Sequence, residues 1–122
     1  MNQSEFRALL DALVDGWTKG EYERVASHFS ENAFYSDAFT YRFRDRASLL
    51  AFFQDDGGEP QSCVFHESIF DEERQLGVAE FTYQGTYLYH GTVWITIGGD
   101  NKIDSWREYQ HTSEKTREEL WN

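Results

Sequence analysis

The sequence is poor in cysteine, proline and basic residues. It holds one cysteine, Cys63, and one proline among 122 residues, so an internal disulfide is excluded. Lysine and arginine number 11 against 22 aspartate and glutamate residues, which gives a formal net charge of −11. Nucleic acids and anionic lipid surfaces are recognised through basic patches, so we expect neither as a partner. The expected partners are therefore neutral, cationic or small.

Long apolar runs and a charged-then-apolar leader are also missing. No segment approaches the roughly 20 apolar residues that a membrane-spanning helix needs, so no membrane association is expected. A single cysteine without a leader is typical of proteins in a reducing compartment. We therefore expect a cytoplasmic location.

Large side chains, in contrast, are abundant. Aromatic residues make up 17% of the chain and apolar residues 39%, which favours a folded protein over a disordered one. A chain of this length suits one packed core rather than two. The sequence thus predicts a single domain over residues 1–122.

Helical periodicity dominates the first part of the chain. One apolar stripe, which predicts a helix from a cap at Ser4 to a stop at Gly20, contains Phe6, Leu9, Leu10, Leu13, Val14 and Trp17. A second, shorter helix is predicted from Tyr22 to Phe29. A third is predicted to begin at Asp45, a good cap, and to end at the segment "DDGGEP".

Extended structure is predicted in the rest of the chain. Residues 33–43 alternate as a strand with a bend or loop in the middle. Four further strands are predicted over residues 61–70, 75–84, 87–97 and 102–111, with turn residues between them. Helices followed by an antiparallel meander predict an α+β fold with the helices on one face of a curved sheet.

The last residues, 112–122, form a separate short segment in this interpretation. They predict a C-terminal helical tail that docks through Leu120 and Trp121. The same two side chains are equally compatible with a contact to a partner protein.

Three segments together resemble the SnoaL-like branch of the nuclear transport factor two-like superfamily. They are "GEYERVASHFSENAFYSD", "RDRASLLAFF" and "KIDSWREYQ". The resemblance covers nearly the whole chain and implies a cone-shaped fold. In that fold a curved antiparallel sheet wraps around a pocket, and the N-terminal helices pack on its concave face.

The segment "WREYQ" supplies the first candidate catalytic residue. In a strand, Trp106, Glu108 and Gln110 share one face, and Arg107 and Tyr109 share the other. The segment is similar to a strand of limonene-epoxide-hydrolase-like proteins, and this resemblance implies that Glu108 is a pocket acid in proton transfer. Alternatively, Glu108 pairs with an arginine on a neighbouring strand.

Glu80 and Val78 are placed by the same resemblance. It implies that Glu80 is a second pocket acid, and that Val78 occupies the position of the arginine that lies between the two acids in those hydrolases. In the alternative register Glu80 faces solvent, while Phe81 and Tyr83 face inward. Strand parity decides between the two registers.

Tyr35 and Asp37 match residues of two enzyme groups. The resemblance places them on the tyrosine and asparagine that hold the attacking water in the epoxide hydrolases, and it places Asp37 on the general base of ketosteroid isomerases. The oxyanion-hole residues of those isomerases correspond to Leu13 and Val93 here, so their mechanism is not expected. Asp37 remains a candidate proton acceptor, with Tyr35 as a ligand contact.

His66 completes the candidate catalytic set of Glu108, Glu80 and Asp37. A neutral histidine beside a carboxylate relays protons at physiological pH, although a hydrogen-bonded core or rim histidine is an equal alternative. The candidate ligand-binding residues are Tyr35, Trp17, Trp106, Phe53, Gln110 and Val78. No short metal-ligand spacing occurs, so we expect neither a metal nor a cofactor.

The segment "GTVWITI" is apolar on both strand faces. The outer face of the sheet therefore needs cover, and we predict a homodimer. The function that these features favour is binding of a small, mostly apolar molecule with acid–base chemistry on it. A non-catalytic ligand-binding or dimerisation module is the alternative.

Overall fold

The computed structural model describes residues 1–59 and 61–122. Within these residues the chain forms four helices and six strands. In chain order they are α1 (Gln3–Lys19), α2 (Tyr22–Ala26), β1 (Phe29–Ser36), β2 (Arg42–Phe43), α3 (Arg46–Gln54), β3 (Ser62–Asp71), β4 (Leu76–Gln84), β5 (Leu88–Ile97), β6 (Ile103–Thr112) and α4 (Arg117–Trp121). The predicted α+β class is confirmed.

Helix α1 begins two residues earlier than the sequence suggested. Its cap is Asn2, not Ser4: the Asn2 side chain accepts from the Glu5 backbone N–H, and the Glu5 side chain accepts from the Asn2 N–H. This reciprocal pair satisfies two free N–H groups at the helix start. The helix ends at Gly20, whose φ of 70° is the left-handed conformation that glycine adopts without strain.

One curved sheet contains all six of these strands, in the order β2-β1-β6-β5-β4-β3. The antiparallel meander predicted for the last four strands is confirmed, and β1 joins it through a parallel pairing with β6 that puts Tyr35 opposite Trp106. The last strand of the chain therefore lies between β1 and β5. This arrangement brings the "WREYQ" segment next to "AFYSD" at the centre of the sheet.

The N-terminal helices pack on the concave face of the sheet. The Phe6 ring lies against the backbone of Gly77, where a built Cβ would come within 2.3 Å of the ring, and it stacks on Phe70. The Arg7 guanidinium donates to the carbonyl groups of Phe65 and His66, next to the irregularity in the β3–β4 pairing. These contacts fix α1 across β3 and β4.

Side-chain alternation separates the two faces of the sheet. On β4, Ala79 and Phe81 are buried on the concave face, while Val78 and Glu80 lie on the opposite, outer face. On β5, Val93 and Ile95 are buried, and Trp94 is 39% exposed on the outer face. The core therefore lies between the concave face and the helices.

Helix α4 lies over part of the outer face. Its Arg117 forms an ion pair of 2.8 Å with Glu80, and the Trp121 ring meets His90 edge to face. The His90 ring also bonds to the Lys115 carbonyl. Leu120 and Trp121 themselves remain 41% and 60% exposed. Among the described residues, no helix is both long and apolar enough to cross a membrane.

Candidate active site

A cavity of about 470 Å³ opens between the helices and the concave face of the sheet. Aromatic rings from α1, α3 and four strands form its wall: Trp17, Tyr35, Phe53, Phe65, Phe81 and Trp106. The Tyr35 and Trp106 rings stack at 6.0 Å, and Trp17 meets Trp106 edge to face at 5.9 Å. The wall is therefore rigid and apolar, as small-molecule sites usually are.

Tyrosines and acids surround the more exposed part of the cavity. Tyr41 and Tyr87 are 46% and 62% exposed, and Tyr83 faces Tyr89 across the β4–β5 hairpin at 5.9 Å. Asp55 and Asp56, which follow α3, also line this part. The hydroxyl groups and carboxylates make this part of the cavity polar.

Glu108 projects from β6 into the cavity. Its Oε1 accepts two hydrogen bonds, one of 2.6 Å from the Trp106 indole N–H and one of 2.9 Å from the Tyr35 hydroxyl. No donor of the described residues bonds to Oε2. Every fully buried polar side-chain atom of the described residues has a hydrogen-bond partner. Oε2 has no partner among these residues, so it is not fully buried and is accessible from the cavity. Glu108 thus presents one oxygen to any bound molecule.

Burial raises the pKa of Glu108 from 4.5 to about 7. Protein atoms surround the carboxyl, and loss of hydration disfavours its charged form. The hydrogen bonds from Trp106 and Tyr35 act in the opposite direction, and the negative charge of Asp37 raises the pKa further. Near neutral pH the protonated and ionised forms of Glu108 are therefore similarly populated, as a general acid or base requires.

Tyr35 acts as a fixed hydrogen-bond donor to Glu108. Burial raises the pKa of its hydroxyl well above 10, and the neighbouring charge and hydrogen bond of Glu108 raise it further. The hydroxyl therefore keeps its proton and points it at Oε1. Its strand position explains this geometry, since Tyr35 and Trp106 are paired residues of β1 and β6.

Asp37 directly follows β1 and organises the next loop. Its Oδ1 accepts from the backbone N–H groups of Phe39, Thr40 and Tyr41 at 2.9, 3.0 and 2.9 Å. The loop contains Ala38 at a φ of 63°, a conformation that the three hydrogen bonds support. Asp37 is only 9% exposed and lines the cavity, and none of the described residues donates to its Oδ2.

Two other ionisable groups, Cys63 and Tyr83, face Glu108. Burial, followed by the Glu108 charge, raises the pKa of Cys63 to about 12, so its thiol stays protonated and is a poor nucleophile. Burial also raises the pKa of the Tyr83 hydroxyl. Glu108 is therefore the group near this point of the cavity that changes charge around neutral pH.

The Asp56 contact was not found from the sequence. The Tyr22 hydroxyl of α2 donates to Asp56 Oδ2, and this bond, followed by the Gly58 N–H, lowers the pKa of the Asp56 carboxyl. Burial and the bond to Asp56 raise the pKa of Tyr22 to about 12. The segment "DDGGEP" was interpreted only as a helix end. Its acids reach the cavity because α3 ends beside α2.

The structure brings seven of the ten candidate residues to the cavity. They are Trp17, Tyr35, Asp37, Phe53, Trp106, Glu108 and Gln110. The other three, Glu80, His66 and Val78, lie away from it, so their expected pocket position is corrected. Their strand parity turns them to the outer face: Glu80 pairs with Arg117, and the His66 ring bonds to the Thr82 hydroxyl at 2.8 Å.

The inward residues of β4 are those of the alternative register. Phe81 and Tyr83 line the cavity, and Val78 faces Trp94 across the outer face. None of the cavity-lining residues that the structure describes is an arginine. The Tyr83–Tyr89 pair itself could have been found from the hairpin turn at Gly85, which places these residues opposite each other.

The residues that the structure describes contain no metal-binding cluster. In residues 1–59 and 61–122, no three His, Cys, Asp or Glu side chains come together as a metal site would require. The acids of the cavity are spread along its wall. The expectation of a metal-free site stays a prediction.

Neither protein-family models nor curated proteins match the sequence. Solved structures do match the fold. An NTF-2 like protein of unknown function from Burkholderia xenovorans has a TM-score of 0.78 at 13% identity, over 100% of this chain and 96% of that one. An LEH-like epoxide hydrolase from M. tuberculosis has a TM-score of 0.72 at 13% identity, over 85% and 80% of the two chains.

A third similar structure is that of SalBIII, an epoxide hydrolase/cyclase-like enzyme with a role in pyran ring formation in the polyether salinomycin. Its TM-score is 0.78 at 12% identity, and the match covers 90% of this chain and 93% of that one. Identities this low show a common fold and leave function open. The resemblance seen in the sequence is confirmed at that level.

Proposed function

Starting from a chain with the nuclear transport factor two-like fold, we propose that it binds a small, mostly apolar molecule in the aromatic cavity. We further propose that Glu108 moves a proton to or from that molecule without a cofactor. The observation that carries this proposal is the environment of Glu108. One of its oxygens is held by Tyr35 and Trp106, the other faces the cavity, and burial raises its pKa to about 7.

The proton transfer that this geometry supports uses the free Oε2. In the ionised form Oε2 takes a proton from a C–H or O–H group of the bound molecule. It then returns the proton to another atom of the same molecule, or to a leaving oxygen, and the carboxylate is restored. A positioned acid or base of this kind accelerates reactions by roughly 10²–10⁴.

Isomerisation and elimination suit this site better than epoxide hydrolysis. An opening epoxide develops negative charge on oxygen, which an arginine between two acids stabilises well. Here Val78 occupies the outer face, and the lining residues that the structure describes offer neutral hydroxyl groups and Gln110 instead. We therefore expect weak or no hydrolysis of a terpene epoxide.

A non-catalytic binding module is the second candidate, and one observation favours it. The partners expected to assist Glu108 are engaged elsewhere: Glu80 is paired with Arg117, and Asp37 Oδ1 holds its loop. Glu108 would then be a buried acid that selects ligands through hydrogen bonding.

Hydrogen–deuterium exchange distinguishes the two candidates. The parent protein, Glu108→Gln and the outer-face control Glu80→Gln are incubated in D₂O with a panel of small cyclic ketones, and exchange next to the carbonyl is followed by NMR. We expect the parent and the Glu80 variant to accelerate exchange of at least one ketone, and Glu108→Gln to lose about 100-fold. Equal exchange rates for the parent and Glu108→Gln would refute the proton-transfer role.

We further propose a homodimer in the cytoplasm. A homodimer would cover the outer-face apolar residues Trp94, Val64 and Ile69, which are 39%, 51% and 74% exposed. A cytoplasmic location is the proposal that accords with a single, free cysteine.

A further inference from the structure

All charged groups that line the cavity have the same sign. Asp37, Asp55, Asp56 and Glu108 contribute four carboxyl groups, and the described lining residues include no lysine, arginine or histidine. Like charges around a low-dielectric cavity produce a negative potential that draws cations and repels anions. The net charge of −11 on the whole chain has the same effect at longer range.

No lysine, arginine or histidine of the described residues forms an ion pair with these acids. Within residues 1–59 and 61–122, each ion pair joins other residues, and none includes Asp37, Asp55, Asp56 or Glu108. Burying charge without a partner is costly, so structural acids are normally paired. Glu108 and Asp37 accept hydrogen bonds from neutral donors only, so no ion pair of the described residues balances their charge when they are ionised.

Two carboxyl oxygens are free to meet such a partner. Glu108 Oε2 and Asp37 Oδ2 bond to none of the described residues, whereas Oε1 and Oδ1 are both occupied. Asp37 is 9% exposed, and its free oxygen is accessible because no fully buried polar side-chain atom of the described residues lacks a partner. Both residues line the same cavity.

Aromatic faces are the second feature that favours a positive ligand. Trp17, Tyr35 and Trp106 pack together at ring distances of 5.9 and 6.0 Å, and Tyr83 and Tyr89 stand near each other on the adjoining hairpin. Aromatic faces attract cations, and rings arranged around one space are typical of sites for alkylated ammonium groups. The rings also suit the apolar body of such a ligand.

We infer that the molecule bound in this cavity is an organic ammonium compound, a compact apolar body that carries an amine or quaternary ammonium group. This inference rests on the proposed function, which places the ligand in the cavity, and it adds the chemical class. The ammonium group lies beside Glu108 Oε2 and Asp37 Oδ2, and the apolar part lies against the indole rings. Carboxylate and phosphate compounds are excluded by repulsion from the four acids.

Binding of a cation and ionisation of Glu108 favour each other. The titratable groups that face Glu108 are Tyr35 on β1, Asp37 in the loop after β1, Cys63 on β3 and Tyr83 on β4. The two hydroxyl groups and the thiol stay neutral. A bound ammonium group therefore releases the Glu108 proton, and its affinity rises as pH increases through about 7.

The test compares two compounds of nearly the same shape, phenyltrimethylammonium and uncharged tert-butylbenzene. Binding to the parent protein is measured between pH 5 and 8 through the fluorescence of its tryptophans, two of which line the cavity. We expect the cation to bind about tenfold or more tightly. We also expect its affinity to increase with pH and that of tert-butylbenzene to stay constant.

Variants identify the groups responsible for the preference. Glu108→Gln and Asp37→Asn, made separately, should each reduce the affinity for the cation and leave that for tert-butylbenzene unchanged, while Glu80→Gln on the outer face should change neither. Equal or tighter binding of tert-butylbenzene by the parent would overturn the ammonium assignment, and the ketone exchange assay would still decide on proton transfer. Failure of the cation to bind would overturn it as well.

Discussion

The Tyr35 hydroxyl and the Glu108 carboxyl are joined by a hydrogen bond of 2.9 Å that spans 73 positions of the sequence. Burial keeps the proton on Tyr35 and makes ionisation of Glu108 costly. The two side chains therefore form one unit in which only the carboxyl titrates near neutral pH. Substitutions around this unit should change its titration in predictable directions.

Glu108→Gln should change how stability depends on pH. The pKa is about 7 in the folded protein against an ordinary 4.5, so the stability that Glu108 contributes falls as pH rises from 4.5 to about 7 and changes no further above that. This pKa difference corresponds to about 3 kcal/mol in the free energy of unfolding. Glutamine keeps the acceptor for Tyr35 and cannot ionise, so the variant should lack this loss. Urea denaturation midpoints across the pH range measure it.

Glu80→Gln provides the matched control for that experiment. It removes an acid of the same type from β4, at a partly exposed ion pair with Arg117. The variant should lose at most about 1 kcal/mol and retain the decline between pH 4.5 and 7. A parent-like pH profile for Glu108→Gln would place the titrating acid elsewhere.

Tyr35→Phe should raise the pKa of Glu108 above about 7. The Tyr35 hydrogen bond favours the ionised carboxylate, and phenylalanine removes that donor while keeping the ring stacked on Trp106. Infrared spectroscopy can follow the protonated carboxyl band as a function of pH. Tyr109→Phe, at an exposed position on the outer face of β6, is the control. An unchanged or lower midpoint would contradict the role of the hydroxyl.

Asp37→Asn should shift the same titration in the opposite direction. The charge of Asp37 raises the pKa of Glu108, whereas asparagine retains the acceptor oxygen for Phe39, Thr40 and Tyr41. The infrared midpoint of Glu108 should therefore fall, while the loop stays intact. If the midpoint rises, the two carboxyl groups do not repel each other through the cavity.

Gly77→Ala should destabilise the packing of α1 on the sheet. A Cβ at this position would lie 2.3 Å from the Phe6 ring, and overpacking of this kind costs about 1–3 kcal/mol. Gly99→Ala is the matched control, because nothing lies within 4 Å of its built Cβ. Urea denaturation should separate the two variants. Equal midpoints would show that Phe6 can move aside without cost.

The outer face should mediate self-association. Trp94 is 39% exposed beneath the Arg107 side chain, next to other exposed apolar residues of the sheet. We expect a dimer in sedimentation experiments and a marked shift toward monomer for Trp94→Glu, because a carboxylate in an apolar interface loses hydration. A parent protein that stays monomeric at every concentration would refute the dimer.

Strand β6 shows what the sequence can predict. Alternation in "WREYQ" put Trp106, Glu108 and Gln110 on one face, because a strand turns successive side chains to opposite sides. The family resemblance implied that this face is the pocket side, and all three residues line the cavity. The α+β class followed from helical and alternating periods that are local properties of the chain. The cap of α1 was missed by two residues, since both Asn2 and Ser4 are good caps.

Strand β4 shows where such prediction fails. A shift of one residue moves every side chain to the opposite face. Both registers of β4 put a mixture of apolar and polar side chains on each face, so the pattern did not decide between them. The choice is made by the packing of Phe6 against Gly77 and by the pairing of Glu80 with Arg117. Both contacts join residues distant in sequence. For that reason Glu80, His66 and Val78 were expected in the pocket.

The parallel pairing of β1 with β6 also has a consequence for biosynthesis. During synthesis β1 is made early, whereas β6, the strand that pairs with it, is the last of the six to be made. Closing so long a loop is entropically costly and makes folding slow. The cavity, whose Tyr35 and Glu108 belong to these two strands, therefore forms only after β6 has left the ribosome.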